Sequence, residues 1–297
     1  MHFFDFAEDI HSRSLIAQKL SWESGIAILL LVVVFIGWHL LRRAFGRPRR
    51  LDNASAPPPS ALRFERYEVG ARLYHWGNFG VMALLILSGA ALFFPSLAFS
   101  IKSWLGISWL LAHEVVAGTF IVFLIFHILF AIFETGLRQM WFTPGDGREL
   151  AQRLRFYSGG SAFLPREGKY DVIQKIYHAL LTLFALVMIG TGVTLFLSAE
   201  VIVTLDHNWL RWLRILHDIF AFLFTAVILG HIYLRLLPSR WPEVAAIITG
   251  KISRRDFERQ HDWRRWQPPV KEHRPEAVGA AVAGPQREEV SEGGGDD

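Results

Sequence analysis

Five apolar stretches, each long enough to cross a lipid bilayer, limit the possible folds of this chain more than any other feature of its sequence. A bilayer core of about 30 Å requires roughly 20 consecutive apolar residues in a helix. Within that core the backbone must satisfy its own hydrogen bonds, so each stretch is predicted to be helical. The sequence therefore predicts an all-α membrane protein. The predicted spans are approximately Ser24–Leu41, Leu73–Phe94, Trp109–Phe133, Ile176–Leu197 and Leu213–Leu234.

The basic residues between the spans predict the orientation of the chain. Arginines and lysines follow the first span, fill the segment between the third and fourth, and follow the fifth, whereas the other two connections carry few. The positive-inside rule then predicts a periplasmic N-terminus and a cytoplasmic C-terminus. This distribution also accounts for the net charge of +4, which therefore gives no indication of nucleic-acid binding.

Composition divides the chain into five regions. The first apolar stretch is followed by arginines and has no cleavage site of the signal-peptide kind, so we expect a retained helix. The proline-rich segment after it is typical of a semi-rigid linker, and the final segment has the composition of a disordered one. The predicted regions are an N-terminal transmembrane helix (1–45), a cytoplasmic linker (46–71), a four-helix domain (72–237), a basic-aromatic cytoplasmic tail (238–267) and a disordered C-terminus (268–297).

A set of histidines recurs in order in two halves of the chain. A polar side chain without a partner is costly within an apolar span and is usually functional. Paired histidines on facing membrane helices commonly bind b-type haem, which predicts an electron-carrying membrane protein. The chain has no cysteine, which excludes c-type haem attachment and iron–sulfur ligation. The first half contains Tyr74-His75, Ser88-Gly89, His113 and His127, and the second contains Tyr177-His178, Thr191-Gly192, His217 and His231, offset by 103 or 104 residues.

The predicted topology places these histidines in two layers. His113 and His217 lie near the periplasmic ends of their helices and form what we call the outer layer. Fourteen residues further along, about 21 Å of helix rise, the chain reaches the other membrane surface. Haem requires two ligands at one depth, so the outer pair follows, whereas spacing leaves both His127–His231 and His75–His231 open for the inner haem. The inner layer contains His75, His127, His178 and His231.

Several further side chains have more than one interpretation. Glu114 and Asp218 directly follow the outer histidines and either adjust a haem potential or point about 100° away, toward the lipid interface or an arginine such as Arg211 or Arg214. We expect His39, in the first span, to be interfacial. The basic-aromatic tail is expected to pack at the lipid headgroups or beneath the bundle.

The segment from about Arg63 to Trp266 resembles the gamma subunit of membrane-bound, quinone-reducing formate dehydrogenase, a di-haem cytochrome b. This resemblance implies an up-down four-helix transmembrane bundle binding two b haems in the inner membrane of a prokaryote, here preceded by one extra N-terminal transmembrane helix. The superfamily is shared with the cytochromes of hydrogenase and thiosulfate reductase. The matching stretches are Arg72-Leu-Tyr-His75-Trp76, Leu87-Ser-Gly89, Leu92-Phe-Phe-Pro95, Lys169-Tyr-Asp171, Gln174-Lys175, His217, Gly230-His231-Ile-Tyr233 and Gly250-Lys-Ile-Ser-Arg-Arg255, with Trp241, His261 and Trp263 around the last.

The resemblance also implies the ligands of each haem. His113 and His217 would hold the outer haem iron. His75 and His231 would hold the inner one. The family has apolar residues at the positions of His127 and His178, which are therefore possible alternative inner ligands, relics of a duplication packed against the inner haem, or ligands of a further haem.

A quinone site is implied beside the inner haem. Menaquinone or ubiquinone would bind to Asp171, Gln174 and His231, because reduction of a quinone requires hydrogen-bond partners and protons. The family has asparagine at position 171, so proton delivery by Asp171 would be particular to this chain. Asp171 also stands where a helix N-cap is expected.

The resemblance implies partners as well. Electrons would come from a periplasmic iron–sulfur (beta) subunit and, through it, from a molybdenum or tungsten catalytic (alpha) subunit, so this chain would not itself oxidise formate. The alternatives are the cytochrome b subunit of a hydrogenase or another molybdoenzyme, a haem-free transporter with a histidine-lined metal or proton path, and a structural anchor. Two layers of histidines near the surfaces disfavour a transporter, whose site usually lies at the midplane.

Overall fold

The computed structural model describes residues 2–45, 63–94, 106, 108–130, 132–133, 140–158 and 164–268. Within those residues five helices are long and apolar enough to cross a membrane, which confirms the predicted all-α membrane fold. In α1 the apolar span covers Lys19–Arg42. The helices are α1 (His2–Phe45), α2 (Val69–Phe93), α3 (Trp109–Phe130), α5 (Val172–Ala199) and α6 (His207–Arg235).

The remaining elements lie at the inner-layer end of the bundle. Helix α4 (Asp146–Ser158) precedes α5, and a short 3-10 turn (Pro238–Arg240) follows α6. Next come α7 (Trp241–Thr249), strand β2 (Lys251–Ser253) and α8 (Arg254–Gln260). Strand β1 (Arg63–Glu65) pairs antiparallel with β2, with Phe64 opposite Ile252. The range predicted as a linker thus forms β1 and the start of α2 where it is described, and residues 269–297 of the predicted disordered C-terminus lie outside the described residues.

The four later spans pack as two pairs of helices. α2 packs along α3, and α5 packs along α6, whereas α2 and α6, and likewise α3 and α5, approach each other at few points. Between the histidine layers the interior is filled by an apolar core in which Phe120 and Phe224 meet edge to face, with ring centroids 6.3 Å apart. The apolar core therefore fills the bundle at mid-depth, and the two pairs of helices are separated more widely from each other than the helices within each pair.

Helix α1 docks along α6. Near the outer layer Ser21 is hydrogen-bonded to Asp218, and Gly25 lies against the ring of Phe222. Near the inner layer the Nδ1 atom of His39 lies 2.7 Å from the hydroxyl of Tyr233. The side chain of His39, which was predicted to be interfacial rather than a ligand, is only 5% exposed, because Tyr233 of α6 packs against it.

The tail folds into a small domain beneath the bundle, which we call the cap (residues 63–67 and 241–266). Its core contains Phe64, Ile252, Phe257 and Trp266. The N–H groups of Arg66 and Tyr67 donate to the carbonyl of Gly250 at 2.8 and 3.2 Å. Gly250 has φ of +83°, and a Cβ there would lie 2.9 Å from the Tyr67 carbonyl oxygen, so the junction requires glycine.

Candidate functional site

The two histidines of the outer layer face each other between α3 and α6. The ring centroids of His113 and His217 are 6.4 Å apart, and their planes are nearly perpendicular. Two metal–imidazole bonds of about 2 Å each, with the rings in line, place the ring centres of such a pair about 6.3 Å apart. The spacing therefore fits an iron held between the two rings.

A hydroxyl group orients each outer histidine. The hydroxyl of Ser88 donates to the carbonyl of Leu84 at 2.7 Å and lies 2.9 Å from Nδ1 of His113. Because its hydrogen is already used, the hydroxyl oxygen accepts the Nδ1–H of the imidazole. This arrangement leaves Nε2 with a lone pair for a metal.

The second half of the chain repeats this arrangement. The hydroxyl of Thr191 donates to the carbonyl of Val187 at 2.7 Å and lies 2.8 Å from Nδ1 of His217. The glycine that follows makes room for the ring, since a Cβ at Gly192 would lie 3.2 Å from Cε1 of His217. The repeated Ser-Gly and Thr-Gly pairs therefore position imidazoles, a role that sequence reasoning missed.

Four histidines of the inner layer form two pairs. His75 and His231 are close enough to interact electrostatically. Nδ1 of His75 is buried and has no hydrogen-bond partner among the described residues. Nε2 of His127 lies 3.5 Å from Nε2 of His178. Two imidazoles on facing helices are the donor set that b-type haem uses, so the His75–His231 pair fits it.

The three residues predicted to bind quinone line one cavity. It has a volume of about 230 Å³ and lies between α5 and α6, at the inner layer. Asp171, Gln174 and His231 all border it, and Tyr177, which also lines it, stacks on His231 with centroids 4.4 Å apart. The remaining lining residues are Tyr157, Ile173, Ile176, Leu180, Val227, Gly230, Leu234, Arg235 and Arg240.

Asp171 is the N-cap of α5. Its Oδ1 accepts the backbone N–H of Gln174 at 2.7 Å, and Oε1 of Gln174 accepts the backbone N–H of Asp171 at 2.9 Å. Burial by itself would raise the pKa of Asp171, but the positive charges of Arg153 and Arg240 hold it below its usual value. Asp171 is therefore ionised and accepts hydrogen bonds, which argues against it as a proton donor at neutral pH.

A buried ionic network surrounds this end of the cavity, and sequence reasoning missed it. Arg153 is fully buried and contacts Glu149 and Glu167, each at 2.9 Å. Arg240 contacts Glu243 at 2.5 Å, Asp171 at 3.3 Å and Glu167 at 3.5 Å. The segments that supply these groups have the composition of solvent-exposed loops, so the sequence pattern gave little indication of their burial.

Glu167 is the group in this network most suited to hold a proton. Burial raises its pKa to about 7, against the attraction of Arg240, with Asp171 and Glu243 raising it further. In contrast, Glu243 has its pKa lowered to about 2, because Arg235 and Arg240 overcome the effect of burial. Glu167 is not among the residues that line the cavity, but Arg240, which does line it, lies 3.5 Å from Glu167.

Asp218 contributes to helix packing. Its carboxylate is hydrogen-bonded to Ser21 of α1 and interacts with Arg214. This contact supports the interpretation in which the acid following an outer histidine points away from its ring.

Comparison with known families agrees with this geometry. Residues 66–250, more than half of the chain, match the family model described as prokaryotic cytochrome b561. A comparison with curated proteins finds no match. The matched segment contains both histidine layers and the hydroxyl groups that orient the outer pair. The chain belongs to the prokaryotic cytochrome b561 family, and it is a multi-pass membrane protein that binds b-type haem and transfers electrons.

Proposed function

We propose that this chain is the cytochrome b subunit of a quinone-reducing enzyme complex, in which the electron donor is an iron–sulfur subunit on the periplasmic side. The observation that carries the proposal is the position of His231, which belongs to the inner histidine layer and also lines the cavity with Asp171 and Gln174. Electron delivery and quinone binding would therefore meet at one residue.

Bound b haems would supply reversible one-electron transfer, with His113 and His217 holding one and His75 and His231 holding the other. The chain's own residues do the rest. Ser88 and Thr191 fix the outer imidazoles, and the phenylalanine core between the layers excludes water.

The cavity residues supply the polar chemistry that quinone reduction needs. The side-chain amide of Gln174 has a long hydrogen bond of 3.4 Å to Glu243 and retains a second N–H that can donate to a quinone carbonyl. Arg240 lines the cavity and contacts Glu167, whose pKa near 7 allows it to hold and release a proton at neutral pH. We therefore assign the proton reservoir to Glu167 and not to Asp171.

The partner enzyme is proposed to be a formate dehydrogenase with a molybdenum or tungsten centre, as the resemblance of residues 250–255 suggests. In this proposal the C-terminus, the cap and the cavity lie on the cytoplasmic side, which the distribution of basic residues supports. Quinone reduction there, with oxidation in the periplasm, would contribute to the membrane potential. Copurification of a hydrogenase in place of a formate dehydrogenase would change the partner and leave the ligand assignments intact.

The test is quinol-driven haem reduction by the purified chain. A reduced-minus-oxidised spectrum with dithionite establishes the haems, and duroquinol then reports reduction through the cavity. Gln174→Ala is expected to slow haem reduction by duroquinol about tenfold, because it removes one hydrogen bond between uncharged groups in a buried site. The spectrum after reduction by dithionite should stay unchanged. The matched control is Gln152→Ala, since Gln152 is exposed on α4. Absence of haem, or equal rates in both variants, would refute the corresponding half of the proposal.

A further inference from the structure

An approximate twofold rotation relates the two halves of the bundle, and we call the resulting interchange of helices the exchange. The exchange takes α2 to α5 with an offset of 103 residues and α3 to α6 with an offset of 104. The contacts obey it: Tyr74 stacks on His127 with ring centroids 4.4 Å apart, and Tyr177 stacks on His231 at the same distance. The symmetry of the sequence is therefore also a symmetry of the packing.

This exchange treats the two layers differently. It takes His113 to His217, so the outer pair maps onto itself and lies on the axis. In the inner layer it takes the pair His75–His231 to the pair His178–His127. The inner layer therefore contains two equivalent sites on opposite sides of the bundle, and each has two histidines and a stacked tyrosine.

The second of these sites has ligand geometry of its own. Nε2 of His127 and Nε2 of His178 point at each other at 3.5 Å, with ring centroids 5.8 Å apart. Two metal–nitrogen bonds of about 2 Å in line require about 4 Å between the nitrogens, so a small separation of the rings is enough. The helices that carry them, α3 and α5, approach each other at few points, as do α2 and α6 at the other site. Both sites thus lie where the bundle is wide.

We propose that His127 and His178 bind a third b-type haem, placed symmetrically to the one held by His75 and His231. The proposal rests on the proposed function, in that the chain must bind haem at all. At 3.5 Å a hydrogen bond between the two Nε2 atoms is at the limit of its range, whereas a metal between them would use the lone pairs of both. Because the outer pair lies on the axis, the chain could pass electrons to either inner site over equivalent distances.

The experiment is pyridine haemochrome quantification on the purified full-length chain, expressed with added haem precursor. The wild-type chain is expected to bind three haems. The double variant His127→Leu/His178→Leu is expected to bind two, and so is His75→Leu. The matched control is His207→Ala, which removes an exposed histidine at the start of α6 and should keep all three.

The outcomes separate this proposal from the proposed function. A wild-type count of two overturns the third haem, whichever histidines bind the two, and leaves electron transfer intact. A count of zero refutes the proposed function itself. Three haems, with one lost in the double variant, establish the site. If the double variant does not fold, the wild-type count and the number of low-spin ferric signals in its electron paramagnetic resonance spectrum still decide the question.

Discussion

The hydroxyl groups of Ser88 and Thr191 determine which nitrogen of each outer histidine is available to a metal. Replacing Thr191 with valine keeps the side-chain shape and removes the acceptor for Nδ1–H of His217. We expect Thr191→Val to weaken haem binding at the outer pair by about 10- to 100-fold, the usual effect of losing such a supporting contact. Haem retention during dilution in detergent measures the change.

The control for this substitution is Thr225→Val on α6. Thr225 donates to its own helix at the carbonyl of Ala221, 2.8 Å away, as Thr191 does at Val187. The variant therefore removes the same local hydrogen bond. Equal haem retention in Thr191→Val and Thr225→Val would show that the hydroxyl does not act through His217.

The sequence predicted the depth of each histidine but not its partner at the inner layer. Depth follows from counting residues along a helix, since each adds 1.5 Å. Partners depend on which helices are neighbours and on how each is rotated, and these result from contacts such as that between Phe120 and Phe224. Repeat spacing contains neither quantity, so both His75 and His127 remained candidates for His231.

At the scale of elements, the close contact between α1 and α6 predicts that two glycines of α1 respond differently to substitution. A Cβ at Gly25 would overlap the ring of Phe222, whereas a Cβ at Gly37 would meet nothing within 4 Å. We expect Gly25→Leu to separate α1 from α6 and Gly37→Leu to have little effect. The chain has no cysteine, so a pair introduced as Ser21→Cys and Asp218→Cys reports the contact through its disulfide yield.

The expected result is a large loss of cross-linking in Gly25→Leu and a wild-type yield in Gly37→Leu. Unchanged yield in both would mean that α1 accommodates the side chain by sliding along α6, and that the close approach does not hold the helix in place. Haem content measured alongside shows whether the four-helix bundle depends on α1.

The same scale shows where prediction from sequence was good and where it failed. The spans were predicted to within a few residues because about 20 apolar residues in a row have few alternatives. Helix α4 was missed, because its buried face consists of Asp146, Glu149, Arg153 and Phe156 and so lacks an apolar stripe. Burial of such a face depends on partners elsewhere in the chain, such as Lys175, which lies 2.9 Å from Asp146.

At the scale of the whole molecule, two buried groups beneath the bundle make opposite contributions to stability as pH changes. His261 is fully buried, and its Nδ1–H donates to the carbonyl of Gly168 at 2.7 Å while Arg66 contacts its Nε2. Burial and the charge of Arg66 lower the pKa of His261 to about 3. Glu167, 4.0 Å away, has its pKa raised by burial to about 7. Each is thus neutral in the folded protein near pH 6.

The direction of each pH dependence follows from whether the folded or the unfolded chain binds more protons. Below about pH 6.5 the unfolded chain protonates His261 and the folded chain does not, so this group's contribution to stability is lost as pH falls from about 6.5 toward 3. Above its unfolded value of 4.5 the unfolded chain ionises Glu167 first, so the contribution of Glu167 is lost as pH rises from 4.5 to about 7. Each contribution changes by at most about 1.4 kcal/mol per pH unit.

Two single variants should therefore change the pH dependence of the free energy of unfolding in opposite directions between pH 4.5 and 6.5. In Glu167→Gln the histidine contribution remains, and the free energy of unfolding should fall more steeply with acidification than in the wild type. In His261→Gln the carboxyl contribution remains, and the free energy should rise as the pH is lowered. Urea unfolding in detergent, followed by tryptophan fluorescence, measures both slopes, with Glu200→Gln and His207→Gln as exposed controls. Parallel slopes in all variants would mean that the pocket around Glu167 and His261 admits water and that neither group is held neutral by burial.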